Sequence, residues 1–300
     1  MVIASFFLFG LIIGSFLNVC ISRIPEGVSI VSPGSRCPNC DTPIKAYDNV
    51  PLLAWLWLRG KCRSCGAPIS FMYPAIELLT ALLFVACYLT FGLTAETLKW
   101  LFFISLMIVL TITDVRVRIL PDSVNFFGLG LGLVFSAHIP PSDPTCMRVA
   151  DHIPFVAQNA TLFGIFCALL GAVAGSLLLL AAATLYRLVR GREGMGMGDV
   201  KMMLMVGTFL GVQGTFLTLL FGTLLGSIVG FLLVMALFVS GWKSGVAERA
   251  SRKGLGSVSA LRWTISSRYQ LPLGTFLGIA ALLVVFFNHW LDMQAYRFMR

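Results

Sequence analysis

The chain has 300 residues, 58% of them hydrophobic and only 12% charged, with a formal net charge of +9 and a mean hydropathy of +0.90. A water-soluble domain of this size needs far more polar surface to cover its core, so the composition excludes that class and points to the bilayer as solvent. The positive balance is therefore not taken as a nucleic-acid surface, and no nucleic-acid partner is expected. It is read through the position of each charge relative to the apolar spans.

Eight apolar spans follow one another at roughly 2–22, 74–91, 98–113, 122–138, 160–186, 199–212, 214–240 and 273–291. The expected fold is an all-α polytopic membrane protein with about eight transmembrane helices. The first span has no Lys or Arg before it and reads as a retained helix rather than a secretory signal. The sixth is short, and only Gly211, Gln213 and Gly214 separate it from the seventh. Assigning the loops alternately to two sides places 18 Lys and Arg in 23–73, 114–121, 187–201 and 241–272, against Lys99, Arg148, Arg297 and Arg300 on the other. The positive-inside rule makes the first set cytoplasmic. The loop 139–159, with its Pro and Asp, falls outside and carries no chemical motif. The loop 241–272 is basic and reads as a solvated segment touching anionic headgroups.

The organisation expected is a first transmembrane helix (1–22), a cytoplasmic four-cysteine domain (23–73) and a membrane-embedded catalytic part (74–300). In 23–73 the pairs Cys37-Pro-Asn-Cys40 and Cys62-Arg-Ser-Cys65 each put two sulfurs on a tight turn. Two such knuckles give the tetrahedral thiolate set that zinc prefers, with no coordination position left open. A loop of fifty residues has too small a core to fold unaided, which a structural ion would remedy. Cys20, Cys87, Cys146 and Cys167 lack such spacing, and the three in apolar spans are expected to be small packing residues.

A carboxylate deep in a membrane costs about 2.5–3.5 kcal/mol on insertion scales, so each one needs a partner or a task. Asp114 ends the third span, and Asp199 follows Gly194-Met195-Gly196-Met197-Gly198 at the start of the sixth. The topology puts both at the cytoplasmic edge. Two carboxylates brought together there share one proton and can activate water against a peptide bond. Gly196 and Gly198 are expected to allow turns closed to other residues and a close approach of substrate. The dipole at the helix start favours ionised Asp199, making it the base and Asp114 the acid. Each aspartate alone has a plain alternative: Asp199 as a helix cap, Asp114 as a partner of Arg116 or Arg118. Asp122 is the reserve candidate, read first as a helix-start residue. Lys201 lies by the loop as an interfacial charge, and Glu77 lies one turn inside the second span.

At these residues the chain resembles the type IV prepilin peptidase family, the bifunctional leader peptidase/N-methyltransferases of pilus and type II secretion systems. The likeness runs through Gly14-Ser15-Phe16-Leu17-Asn18, Arg23-Ile24-Pro25, the Cys pairs flanking Tyr47-Asp48-Asn49-Val50-Pro51, Tyr73-Pro74 with Glu77, Asp114 with Arg118-Ile119-Leu120-Pro121-Asp122, and Gly196-Met197-Gly198-Asp199-Val200-Lys201. The resemblance implies a bacterial inner-membrane enzyme acting on prepilins or pseudopilins. It would cleave after a Gly at the cytoplasmic face with Asp114 and Asp199, then methylate the new N-terminal residue from S-adenosylmethionine. The Cys-bearing loop goes with methylation, since shorter relatives without it are regarded as peptidases only. It draws attention to Gly14, Asn18 and Glu77 for the methyl donor. Two other classes compete: an ion-coupled transporter using the aspartates, and a non-enzymatic zinc-knuckle anchor.

Overall fold

The computed structural model describes residues 1–141, 143–191, 195–239 and 272–298. Gly194 of the glycine run and all of the basic loop 241–272 except Pro272 lie outside them. Among the described residues the regular structure is helical: α1 (Val2–Arg23), α2 (Leu53–Trp57), α3 (Met72–Phe91), α4 (Ala95–Val117), α5 (Asp122–His138), α6 (Pro144–Ala150), α7 (Pro154–Ala157), α8 (Ala160–Arg190), α9 (Met197–Val239) and α10 (Leu273–Phe298).

Local signals account for the ends of these helices. Thr94 caps α4 by accepting the Thr97 N–H, and Asn159 caps α8 by accepting those of Thr161 and Leu162. Arg118 ends α4 in the left-handed region at φ 56°, its N–H bonded to the carbonyl of Asp114. α4 is the central helix: Phe103, Ile104, Met107 and Leu110 are fully buried. α1 packs on α3, and α10 packs on both α4 and α9.

Among the described residues, five helices are long and apolar enough to cross a membrane, those at Val2–Glu26, Met72–Phe91, Ala95–Val117, Ala160–Arg190 and Met197–Met235. Of the other expected spans, α5 has 17 residues, about 26 Å of helix, and α10 offers the apolar stretch Leu273–His289 within the described side chains. α9 holds the sixth and seventh spans together, with Gly211 between them at φ 69°, ψ −168°. The chain reverses there, because a Cβ on Gly175 of α8 would meet both Thr215 and Met203. α9 is therefore a helical hairpin. It lies so close to α8 that a Cβ on Gly171 would come within 2.5 Å of the Gly207 carbonyl; small residues permit such contacts between membrane helices.

The turn at Gly211 is fastened by the loop 139–159. Asp143, fully buried, accepts the N–H groups of Thr145 and Cys146 on one oxygen and of Val212 and Gln213 on the other. One carboxylate thus caps both α6 and the second arm of the hairpin. Cys146 and Cys167 form a disulfide between α6 and α8. This corrects the expectation that Cys167 merely fills space. Neither residue sits in a paired motif, and it is the folding of α6 onto α8 that joins them.

With the protein denatured without reductant, a maleimide reagent should label neither Cys146 nor Cys167, and should label both after reduction. The two are 21 residues apart. Replacing both with Ser should cost about 3 kcal/mol by the chain-entropy relation, seen as a lower melting temperature.

Candidate active site and metal centre

Three helix ends converge on the acidic pair. Asp114 lies in the last turn of α4 and Asp199 in the first turn of α9, 6% and 8% exposed. The start of α10 lies between them. A Cβ built on Gly274 would stand 2.9 Å from Asp114 Oδ2 and 2.9 Å from Asp199 Oδ1, so the two carboxylate oxygens are within twice that distance of each other. The next residue, Thr275, donates to Asp114 Oδ2 through its N–H at 2.7 Å and its hydroxyl at 2.9 Å. Leu120 closes the far side, 2.8 Å from the same Gly274 position and 3.0 Å from a Cβ on Gly198.

The sequence reasoning named the two acids and missed Gly274 and Thr275. A signal existed: Pro272-Leu273-Gly274-Thr275 opens the last span on the side assigned to both aspartates, and Pro before a helix marks its entry. The role expected of the glycines also changes. Gly196 and Gly198 are absent from the left-handed positions. Gly198 is needed for its closeness to Leu120, and the Gly196 carbonyl accepts the Asp199 N–H at 3.2 Å.

Asp122, the reserve candidate, is the first residue of α5 and forms an ion pair with Lys201 at 2.6 Å. Lys201 is thus a link between the starts of α5 and α9, two residues beyond Asp199, rather than a charge reaching for the interface alone.

Gly14, Asn18 and Glu77 do come together, at the contact of α1 with α3. A Cβ on Gly14 would lie 2.6 Å from the Glu77 Cα. Asn18 Nδ2 donates to the Tyr73 carbonyl at 3.1 Å. Glu77 Oε2 accepts the Leu52 N–H at 2.8 Å, tying the segment 23–73 to the helix bundle. At Gly14, α3 fills the space a side chain would need.

The segment 23–73 contains two near-copies of one turn, Cys-x-x-Cys-x-x-Pro-Ile, at Cys37–Ile44 and Cys62–Ile69. Each copy has an antiparallel bridge, Arg36 with Pro43 and Lys61 with Pro68, and each has a positive φ one residue past its second Cys, at Asp41 and Gly66. The four sulfurs lie within 4.8 Å of one another, with Cys37 and Cys65 at 3.8 Å. Ligands about 2.3 Å from a tetrahedral ion stand roughly 3.8 Å apart, so the cluster could hold a metal ion with no change of fold. Arg63 braces the second copy by a bidentate pair with Asp48, at 2.8 and 2.6 Å. Its hydrogen bonds hold the Asp48 carboxyl below the usual range.

Residues 8–91 match the family model described as the bacterial peptidase A24 N-terminal domain, and residues 101–231 match that of the type IV leader peptidase family. The chain is 37% identical to a prepilin leader peptidase/N-methyltransferase of Aeromonas hydrophila, across 76% of this chain and 80% of the relative. It is 39% identical to one of Myxococcus xanthus, across 77% of this chain and 62% of the relative. For one of Bacillus subtilis the values are 36%, 75% and 80%. No solved structure matches the chain.

The cluster predicts about one tightly held metal ion per chain, measured by mass spectrometry of the purified protein's metals. Cys37→Ser should remove most of it and make 23–73 sensitive to protease.

Proposed function

Since the chain belongs to the type IV leader peptidase family, we propose that it cleaves the leader from prepilins or pseudopilins and then methylates the exposed N-terminus. The observation that carries the first step is the buried acidic pair around Gly274. The water-activating role divides as follows. Asp114 Oδ2 already accepts two hydrogen bonds from Thr275 at the N-terminus of α10, an arrangement suited to a carboxylate. The shared proton then belongs to Asp199. This reverses the assignment drawn from the α9 dipole alone, because α10 turns its own N-terminus, and two direct donors, on Asp114. Asp114 takes a proton from water as its oxygen attacks the scissile carbonyl carbon. Asp199 gives its proton to the carbonyl oxygen. The diol collapses as Asp114 gives its proton to the leaving nitrogen and ionised Asp199 takes one back from a diol hydroxyl, which restores the pair.

The Cys146–Cys167 disulfide belongs to an oxidising compartment, and the four free thiols at Cys37, Cys40, Cys62 and Cys65 belong to a reducing one. Together with the basic loops they support a cytoplasmic cluster and active site in a bacterial inner membrane, with eight crossings if both arms of α9 and the short α5 and α10 are counted. The metal best suited to four thiolates is zinc, held by Cys37, Cys40, Cys62 and Cys65 as a structural ion. The methyl donor is S-adenosylmethionine. Gly14 and Asn18 seat α1 against the start of α3, where Glu77 holds the cysteine domain through the Leu52 N–H. Neither the transporter nor the anchor reading finds support in the relatives.

A prepilin peptide incubated with the purified protein and methyl donor, followed by mass spectrometry, reads both steps. Asp114→Ala and Asp199→Ala should abolish leader removal while leaving the protein inserted and folded; full cleavage by either would remove the assignment. Thr275→Val, which deletes one hydrogen bond to a charged group worth about 1.5–3 kcal/mol, should slow cleavage roughly 10- to 100-fold. Gly274→Ala should do more, since its methyl meets both carboxylates. Glu77→Ala should lower methylation of a pre-cleaved substrate and spare leader removal.

A further inference from the structure

α2 is short, yet its two faces are unlike. Trp55 turns inward: its indole N–H donates to the Ile69 carbonyl at 3.1 Å, and its ring meets Phe71 edge-on at 5.7 Å. Leu53, Leu56 and Trp57, spaced i, i+3 and i+4, share the opposite face and are 66%, 63% and 83% exposed. An apolar face of this kind outside the spans needs a cover.

Two observations identify the cover. Leu52, directly before α2, is bound through its N–H to Glu77, which lies inside the α3 span five residues from its start. α2 is therefore fastened beside the membrane wall of the protein and not out in solvent. Leu52 is held there at φ 58°, a conformation that side chains rarely adopt and that persists only where the surroundings enforce it. The second observation is charge. α2 is followed by exposed Arg59 and Lys61, cations suited to anionic headgroups, and Trp is enriched at the membrane–water interface. Exposed Phe71 and Tyr73 continue the apolar surface into α3.

We infer that Leu53, Leu56 and Trp57 are embedded in the interfacial layer of the lipid leaflet, with Arg59 and Lys61 on anionic headgroups, so that the four-cysteine domain lies on the membrane surface. This rests on the multi-pass reading above and adds a lipid contact to it.

The full chain is reconstituted in vesicles of phosphatidylethanolamine and phosphatidylglycerol containing a phospholipid with a diazirine near the ester end of its acyl chain. Illumination, digestion and mass spectrometry locate the adducts. Adducts are expected on 53–57 as well as on the exposed Leu78, Leu79 and Leu82 of α3, and the yield on 53–57 should fall when phosphatidylcholine replaces phosphatidylglycerol. Labelling of α3 without 53–57 would overturn the inference. Absence of labelling on both would instead strike the multi-pass reading. A prepilin peptide that abolishes the 53–57 adducts and cross-links there itself would assign the face to substrate and overturn the lipid contact.

Discussion

Two carboxylates buried on either side of one glycine repel each other once both are charged, so the fold must hold them together by force of packing. That constraint governs the rest of the molecule. Asp114 and Asp199 come from helix ends 85 positions apart in the chain, and neither helix alone could keep the pair. The start of α10 wedges between them, with a residue lacking a side chain at the point of closest approach and two donors on the one next to it. One turn deeper, Gly278 again lets α10 lie against Thr111 of α4. The acidic pair is thus a three-helix feature, and the helix that contributes no acid fixes its geometry.

Much of this was legible before any coordinates. A charged residue in an apolar span is conspicuous, and Asp114 and Asp199 stood out because membrane insertion makes them costly. The paired cysteines were equally plain, because each Cys-x-x-Cys is a local turn whose geometry is written in a few adjacent residues. What escaped notice depends on contacts between distant elements. Gly274 and Thr275 are ordinary residues at the head of a helix until α10 meets α4. Cys146 and Cys167 carry no local motif. The hairpin at Gly211 was partly visible, since a short sixth span beside a Gly-rich junction hinted at a break, but only the left-handed φ of Gly211 and the cap from Asp143 explain where it falls. The dipole argument for Asp199 weighed one helix, whereas two present their N-termini to the pair.

The two halves of the molecule meet through polar groups. Glu77 holds the Leu52 N–H, and Arg23 at the end of α1 donates to the Ser29 and Gly34 carbonyls, so hydrogen bonds join the cysteine domain to α3 and α1. Among the described contacts its own interior holds two repeated turns, an edge-on Trp55–Phe71 pair and a bidentate Arg63–Asp48 pair. A module with so small an interior is one that a metal ion held by its four sulfurs would stabilise.

Asp143 introduces an order of events into biogenesis. The carboxylate is synthesised some seventy residues before the N–H groups of Val212 and Gln213 that it caps, so the receptor for the hairpin turn exists before the turn is made. A reversal of direction between two membrane helices leaves peptide groups that lipid cannot satisfy. The early-made loop supplies the missing acceptor, so the turn within α9 can close without waiting for the last helix.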